Sequence, residues 1–476
     1  MTIQLQTLKT RVGLGVGMGV GVALSLALSQ GALAAVTAEE AKQLGTTLTE
    51  FGAEKAGNAD GTIPAYTGGI TTLPAGYKKG DDRYVDPFKG EKPLYSIDAK
   101  NMAKYAGQLT EGSKVMLQAY PTYRLDVYPT HRTAAYPAWV RENTVKNATT
   151  AKLTGEIAGD SAEGADNGKP FPGIPFPIPK SGYEVMWNHK FSYGPAVDHQ
   201  ASAAWLVDTA GNVTGLPTVN EFFVRPWYDR SGKLRKETFD AVFGFSATLT
   251  GPPASAGIHF LNYYLADSAE GGQKVWFYTP GQRRVRAAPE FNYDIPIASY
   301  GGVLVWDEIF GFVGRMDRFD FKLVGKKEMI VPYNVFGVTN TMLSKDVLDK
   351  KHLTNESVRW EKHRVWVVES TRKANARHAY SRRTFYIDED SWVIVASESY
   401  DSGGKLWRAG NMLTFPTYDV GGVNNATWNF NDVIKGNYFV VNMGAADPGN
   451  FVRSYTSAEG LPIKLTPQAV AAGSAR

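Results

Sequence analysis

The chain has 476 residues, 43% hydrophobic, 21% charged and 12% aromatic, with a formal net charge of +4 and no Cys. The missing thiol excludes a disulfide scaffold, a thiolate metal site, a cysteine nucleophile and a lipid-modified N-terminal cysteine. The wealth of Trp, Tyr and Phe excludes a disordered chain, and the near balance of charge gives no electrostatic case for binding nucleic acid.

In chain order, Lys9 and Arg11 precede an uncharged run from Val12 to Leu28, and Ala32-Leu33-Ala34 supplies the small residues a signal peptidase reads. Residues 1–34 are therefore predicted to be an export signal, cleaved before Ala35. Export without cysteine suits the bacterial periplasm, and the protein is expected there as a non-lipoprotein. An outer-membrane barrel fits less well. The last residues, Ala471 to Arg476, form no aromatic strand, and charges fall on strand faces that lipid would cover.

Residues 35–168 read as an N-terminal helical and irregular region. Thr37 and Glu40 have capping-box spacing, and Ala41, Leu44, Leu48 and Phe51 recur at helical intervals, predicting a helix that ends near Gly57. Further helices are predicted over 97–119 and 134–151. Residues 169–181 contain Pro170, Pro172, Pro175, Pro177 and Pro179 alternating with apolar side chains, which dictates a proline-rich rod. It is either a stiff linker or, through Phe171, Ile174, Phe176 and Ile178, a strip pinned to an apolar surface.

Strand after strand is predicted across 182–465, before a tail at 466–476. The segments are 203–208, 220–225, 260–265, 274–278, 318–324, 328–333, 363–369, 383–388, 392–400, 406–415, 427–431 and 438–443. The fold class is accordingly β-rich α+β: a large curved antiparallel sheet or incomplete barrel, its concave face covered by the N-terminal helices. Phe319, Phe321 and Leu323 share one face of their strand, whereas Arg318, Asp320 and Lys322 share the other. Val275 to Tyr278 and Val365 to Val368 are apolar on both faces, which implies cover on both sides.

No catalytic constellation emerges. The histidines are scattered singly, so no metal or cofactor is expected. Ser370 with Lys373, and Ser402 with Lys405, have a serine–lysine spacing without the companion motifs of that chemistry. Asp388-Glu389-Asp390 sits between strands and reads as a solvated turn. Arg283-Arg284-Val285-Arg286 follows a Pro-Gly turn, so Arg284 and Arg286 share a face. They are either solvated or able to hold an acidic headgroup or carboxylate.

The segments Gly173 to Pro179, Gly182 to His189, Val275 to Arg286, Val331 to Asn334 and Tyr386 to Trp392 together resemble a family of exported bacterial proteins of unknown function, described as outer-membrane-lipoprotein-sorting-like. The Trp276 to Arg286 pattern, followed by Tyr400 to Leu406, also resembles the wider LolA/LolB-like fold. That resemblance implies an incomplete barrel that shields acyl chains, serving an envelope transport system with an RND-type inner-membrane transporter and an outer-membrane protein as partners. The expected function is thus a periplasmic carrier or chaperone for a lipid or other hydrophobic ligand, without enzymatic activity. Trp187, Trp205, Phe222, Trp276, Tyr278, Phe319, Phe321, Trp366 and Trp392 are the candidate core or cavity residues, with Arg284 and Arg286 at a polar rim. An envelope hydrolase acting on glycan or lipid through dispersed carboxylates is one alternative. A transporter accessory scaffold without a ligand is the other.

Overall fold

The computed structural model describes residues 36–473 except 156, 158, 268–270 and 445; the export signal expected at 1–34 lies outside the described residues. Among them no helix is long and apolar enough to cross a membrane. Alternating side chains from Val197 onward build most of a 17-stranded sheet, which two short earlier strands, Tyr95–Ile97 and Leu125–Val127, complete. Its main strands are β1 (Val197–Val207), β2 (Thr218–Val224), β3 (Ala241–Gly251), β4 (His259–Leu265), β5 (Gln273–Thr279), β6 (Arg284–Ala287) and β7 (Phe319–Pro332). They continue with β8 (Trp360–Arg372), β9 (Arg382–Asp388), β10 (Ile394–Tyr400), β11 (Leu406–Met412), β12 (Trp428–Asp432), β13 (Asn437–Met443) and β14 (Phe451–Tyr455).

The main strands are laid down from the middle of the sheet. Strands β1 to β6 proceed outward to one edge, each antiparallel to the last. Strands β7 to β13 then return from the opposite edge, and β13 and β14 pair with the free side of β1. Among the described residues β6 and β7 have no pairing with each other, so the sheet is not closed. The expected large antiparallel sheet with open edges is what the chain forms. The two predicted segments 318–324 and 328–333 prove to be one strand, β7, with a register shift between Leu323 and Gly325.

Two faces follow from the pleat. Helix α1 (Glu111–Ala119) covers the outer face, where Leu109, Met116 and Leu117 pack with Val207, Tyr438, Val440 and Met443. Helix α2 (Ala138–Thr150) matches the prediction for 134–151 apart from frayed ends. The helix expected from Thr37 stops at Ala41 despite its intact capping box. The chain then turns repeatedly, and Gly52 shows why. A Cβ there would lie 1.9 Å from the Pro177 carbonyl oxygen, so the segment must press its backbone against the proline rod.

The sequence reading of 182–190 as the onset of strands is corrected: it is helix α3 (Gly182–Lys190). Ser181 caps it by accepting from the Glu184 amide at 3.2 Å, and the Glu184 carboxylate returns to the Lys180 amide. The Ser-x-x-Glu spacing that announces such a start is plain in the sequence. The proline rod lies between α2 and α3. The amides of Phe171, Ile174 and Phe176 donate to Asn147 (2.8 Å), Thr144 (3.0 Å) and Asn188 (2.9 Å), and Ile174 and Phe176 are buried. It is a pinned strip.

Candidate functional site

Residues 288–318 connect β6 to β7, and so must travel from one sheet edge to the other. They do so across the inner face as a strap. Its middle, Trp306–Gly311, is a 3-10 turn interrupted where Phe310 adopts a left-handed backbone at φ 53°. That kink drives the Phe310 ring into the sheet, 4.6 Å from Phe243, 5.0 Å from Phe223 and 4.8 Å from Trp428 between centroids.

Two buried carboxylates clamp this middle section. Asp307 meets His378 at 2.9 Å and Arg383 at 3.1 Å, while Glu308 meets Arg408 at 2.8 Å and accepts from the Tyr380 hydroxyl at 2.7 Å. Burial opposes ionisation of Asp307, but Arg383 and His378 prevail and hold its pKa below the usual carboxylate range.

The tip of the strap, 289–305, is held by the Gln273 side-chain amide, which donates to the Phe291 carbonyl at 2.9 Å, and by the Ala379 backbone amide, which donates to Asp294 at 2.8 Å. An isolated bridge joins Pro296 to Val305. Beneath it Ile297 and Tyr300 roof a cavity of about 50 Å³ over Phe223, Phe245, Leu249 and Trp428. The only carboxylate in this lining is Glu221, which is buried and has its pKa pushed up to about 7 because burial outweighs the hydrogen bonds from Gln200 and Ser202. Two larger cavities, about 180 Å³ beside Tyr293 and Arg315 and about 240 Å³ between His199 and Lys464, have far more polar walls. An apolar molecule is therefore best matched by the smaller cleft under the tip.

The residues singled out from sequence are spread over both faces. Trp187, Phe319, Phe321 and Trp392 are buried in the inner core, and Trp366 stacks on Trp392 at 6.0 Å. Trp205 packs in the outer-face cluster under α1. Phe222, Tyr278 and the partly buried Trp276 belong to a third cluster near the C-terminal segment. Arg284 and Arg286 are exposed on the edge strand β6. None of the nine aromatic candidates lines the apolar cleft. Phe222 is adjacent to the lining residue Phe223 but points to the other face, because successive strand residues alternate. Strand β3, which supplies Phe245, Ala247 and Leu249, was not predicted. The strand's signal is weakened by Gly244, Ser246 and Thr248 on its other register, and Gly244 is required because a Cβ there would lie 2.3 Å from the Tyr263 ring.

Asp388-Glu389-Asp390 departs from the solvated-turn expectation. The three are 0%, 2% and 1% exposed. Arg132 holds Asp390 through two bonds of 2.6 and 2.8 Å, and Glu389 pairs with Arg364 at 3.2 Å and Lys326 at 2.8 Å. His363 stands between Glu361 (3.0 Å) and Asp388 (3.3 Å). The potential ligand atoms of His363, Asp388 and Asp390 lie within 4.8 Å of one another, although the sequence showed no such cluster. Burial disfavours the imidazolium, yet the flanking carboxylates push the His363 pKa up to about 9. When protonated, the ring can donate to a carboxylate on either side. The cluster is an ionic lock between the N-terminal segment and the sheet.

That lock has a pH signature. The His363 pKa is raised above its ordinary 6.5, so its contribution to stability is fully present below about pH 6.5 and is lost as pH rises through about 9. The stability difference between the native chain and His363→Gln, followed by urea unfolding, is expected to shrink across that window. A difference independent of pH contradicts the assignment. On the acid side Glu361 and Asp388, both held below their ordinary values despite burial, contribute above the carboxylate range and lose that contribution as pH falls through their lowered values.

Known proteins complete the picture. A solved outer membrane lipoprotein-sorting protein domain of Vibrio parahaemolyticus aligns over 60% of this chain and 97% of its own at 14% identity and a TM-score of 0.40. A DUF1329 family protein of Desulfovibrio piger does so over 59% and 93% at 14% identity and a TM-score of 0.37. A LolA superfamily protein of Nitrosomonas europaea covers 55% and 90% at 10% identity and a TM-score of 0.31. In sequence, an uncharacterized protein of Pseudomonas aeruginosa is 35% identical over 437 residues, which is 90% of this chain and 92% of that protein. The family model described as protein of unknown function (DUF1329) matches residues 96–471, spanning α1, the proline rod, the strap and the whole sheet, and the chain belongs to that family.

Proposed function

We propose that this protein is a carrier for a lipid or other hydrophobic small molecule, binding it without covalent chemistry between the inner face of the open sheet and the strap. The observation that carries this reading is the apolar cleft roofed by Ile297 and Tyr300, which lies under a connection that spans two unpaired edges. Removing apolar surface from water supplies ~25 cal/mol per Å² for such a ligand. At about 50 Å³ the cleft is smaller than the ~300 Å³ or more that a lipid-sized molecule needs, so loading requires the tip to swing out while the clamp at Asp307 and Glu308 holds. The hydrolase reading is less well supported, because Asp388, Glu389 and Asp390 are already engaged in buried ion pairs and hydrogen bonds.

The export signal read at 1–34 supports a periplasmic setting, in which the carrier would hand its ligand between an inner-membrane transporter of the RND type and an outer-membrane protein. Protein purified from the periplasm is expected to release an apolar species on solvent extraction, with a matching mass difference in native mass spectrometry. If nothing hydrophobic co-purifies and a neutral fluorescent apolar probe fails to bind the stripped protein, the carrier reading is wrong.

A further inference from the structure

Two polar side chains line the cleft under the strap, one of them partly satisfied by the fold and the other carrying an acceptor without a partner. Glu221 lies on β2 between Val219 and Phe223, on the register that faces the cavity. Its Oε1 accepts from Gln200 at 2.8 Å and Ser202 at 3.4 Å, and among the described residues no hydrogen bond reaches Oε2. Asn442 is the second. It sits where the pairing of β13 with β1 shifts register between Val440 and Met443, with φ 56°. The shift places Asn442 in the cavity wall, and its side-chain carbonyl oxygen is buried without a partner. Both residues are 3% exposed.

An unpaired buried acceptor costs roughly 1–3 kcal/mol, and an ionised carboxyl costs more. A carboxyl with one free oxygen and an unpartnered buried carbonyl in one apolar cavity are explained if a ligand supplies the missing donor. We propose that the cleft takes an amphiphile whose apolar chain or ring system ends in a hydrogen-bond donor, a hydroxyl or primary amine, seated between the Glu221 carboxyl and the Asn442 carbonyl. This rests on the carrier reading and narrows its ligand class. A carboxylate or phosphate headgroup fits poorly, since it brings a second negative charge into a space of low dielectric and has little or nothing to donate.

The test is binding of dodecanol, dodecylamine and dodecanoate to the lipid-stripped full chain at about pH 8, where the fatty acid is ionised. Dodecanol and dodecylamine are expected to bind at least about tenfold more tightly than dodecanoate. Glu221→Gln removes the charge at nearly constant shape and is expected to narrow the gap by about tenfold. Asn442→Gly, which suits the left-handed backbone, is expected to weaken the two donor ligands severalfold and leave dodecanoate unchanged. Dodecanoate binding as tightly as dodecanol, or an unchanged preference in both folded variants, overturns the headgroup assignment and leaves the carrier reading standing. Binding of none of the three overturns both.

Discussion

Arg132→Ala is expected to destabilise the protein by about 3–5 kcal/mol, the cost of removing one partner from a buried charge pair. The Arg132 side chain is 3% exposed and supplies both side-chain hydrogen bonds of Asp390, with a further contact to Glu389 at 3.3 Å. Without it, Asp390 is left as a buried carboxylate with no compensating charge in contact. Arg132→Lys restores charge but cannot reproduce the forked geometry, so it should recover only part of the loss. Removing Asp390 as well should cost less than the sum of the single changes. A double-mutant cycle by urea unfolding measures this coupling, and strict additivity would show that the pair is not the source.

Phe310→Ala is the second large effect, at about 3–5 kcal/mol for a buried ring. Phe310 is 4% exposed and is the point at which the strap meets Phe223, Phe243 and Trp428. Two of these rings, Phe223 and Trp428, also line the cleft, and Phe310 itself lines a neighbouring cavity of about 30 Å³. Truncation should therefore merge the two spaces. The variant is expected to unfold at lower urea and yet to bind small apolar probes more tightly than the native chain, because an apolar cavity stays dry and accepts such guests. Loss of stability without any gain in probe binding would place the cleft elsewhere. Phe310→Gly removes the same ring without forcing a Cβ into the left-handed region, so comparing the two variants separates packing from backbone strain.

The sheet was largely legible in the sequence because alternation is a local signal. Phe319 and Phe321 were assigned to one face, and both are buried in the inner core. What was lost depended on non-local geometry. Nothing near Glu221 announces that β2 turns this acid toward an apolar cleft, although Val219, Glu221 and Phe223 recurring at a period of two is a signal that could have been read. His363 and Asp390 are 27 positions apart and Arg132 is 258 from Asp390, so their lock could not be seen until the sheet and the N-terminal segment were assembled. The strap was missed for a related reason. Its single turn at Trp306–Gly311 has no helical or strand period, and its importance comes only from the topology that makes β6 and β7 opposite edges. By contrast, α3 had a local signal, the capping pattern of Ser181 and Glu184, that could have been read.

Photo-crosslinking tests most directly whether the cleft beneath the strap is the ligand site. A dodecanol bearing a diazirine, irradiated with the lipid-stripped full chain and mapped by peptide mass spectrometry, should label peptides from β2, β3 and the strap, around Phe223, Phe245 and Ile297. Labelling confined to the outer face around Trp205 and α1, or no specific labelling at all, would contradict it.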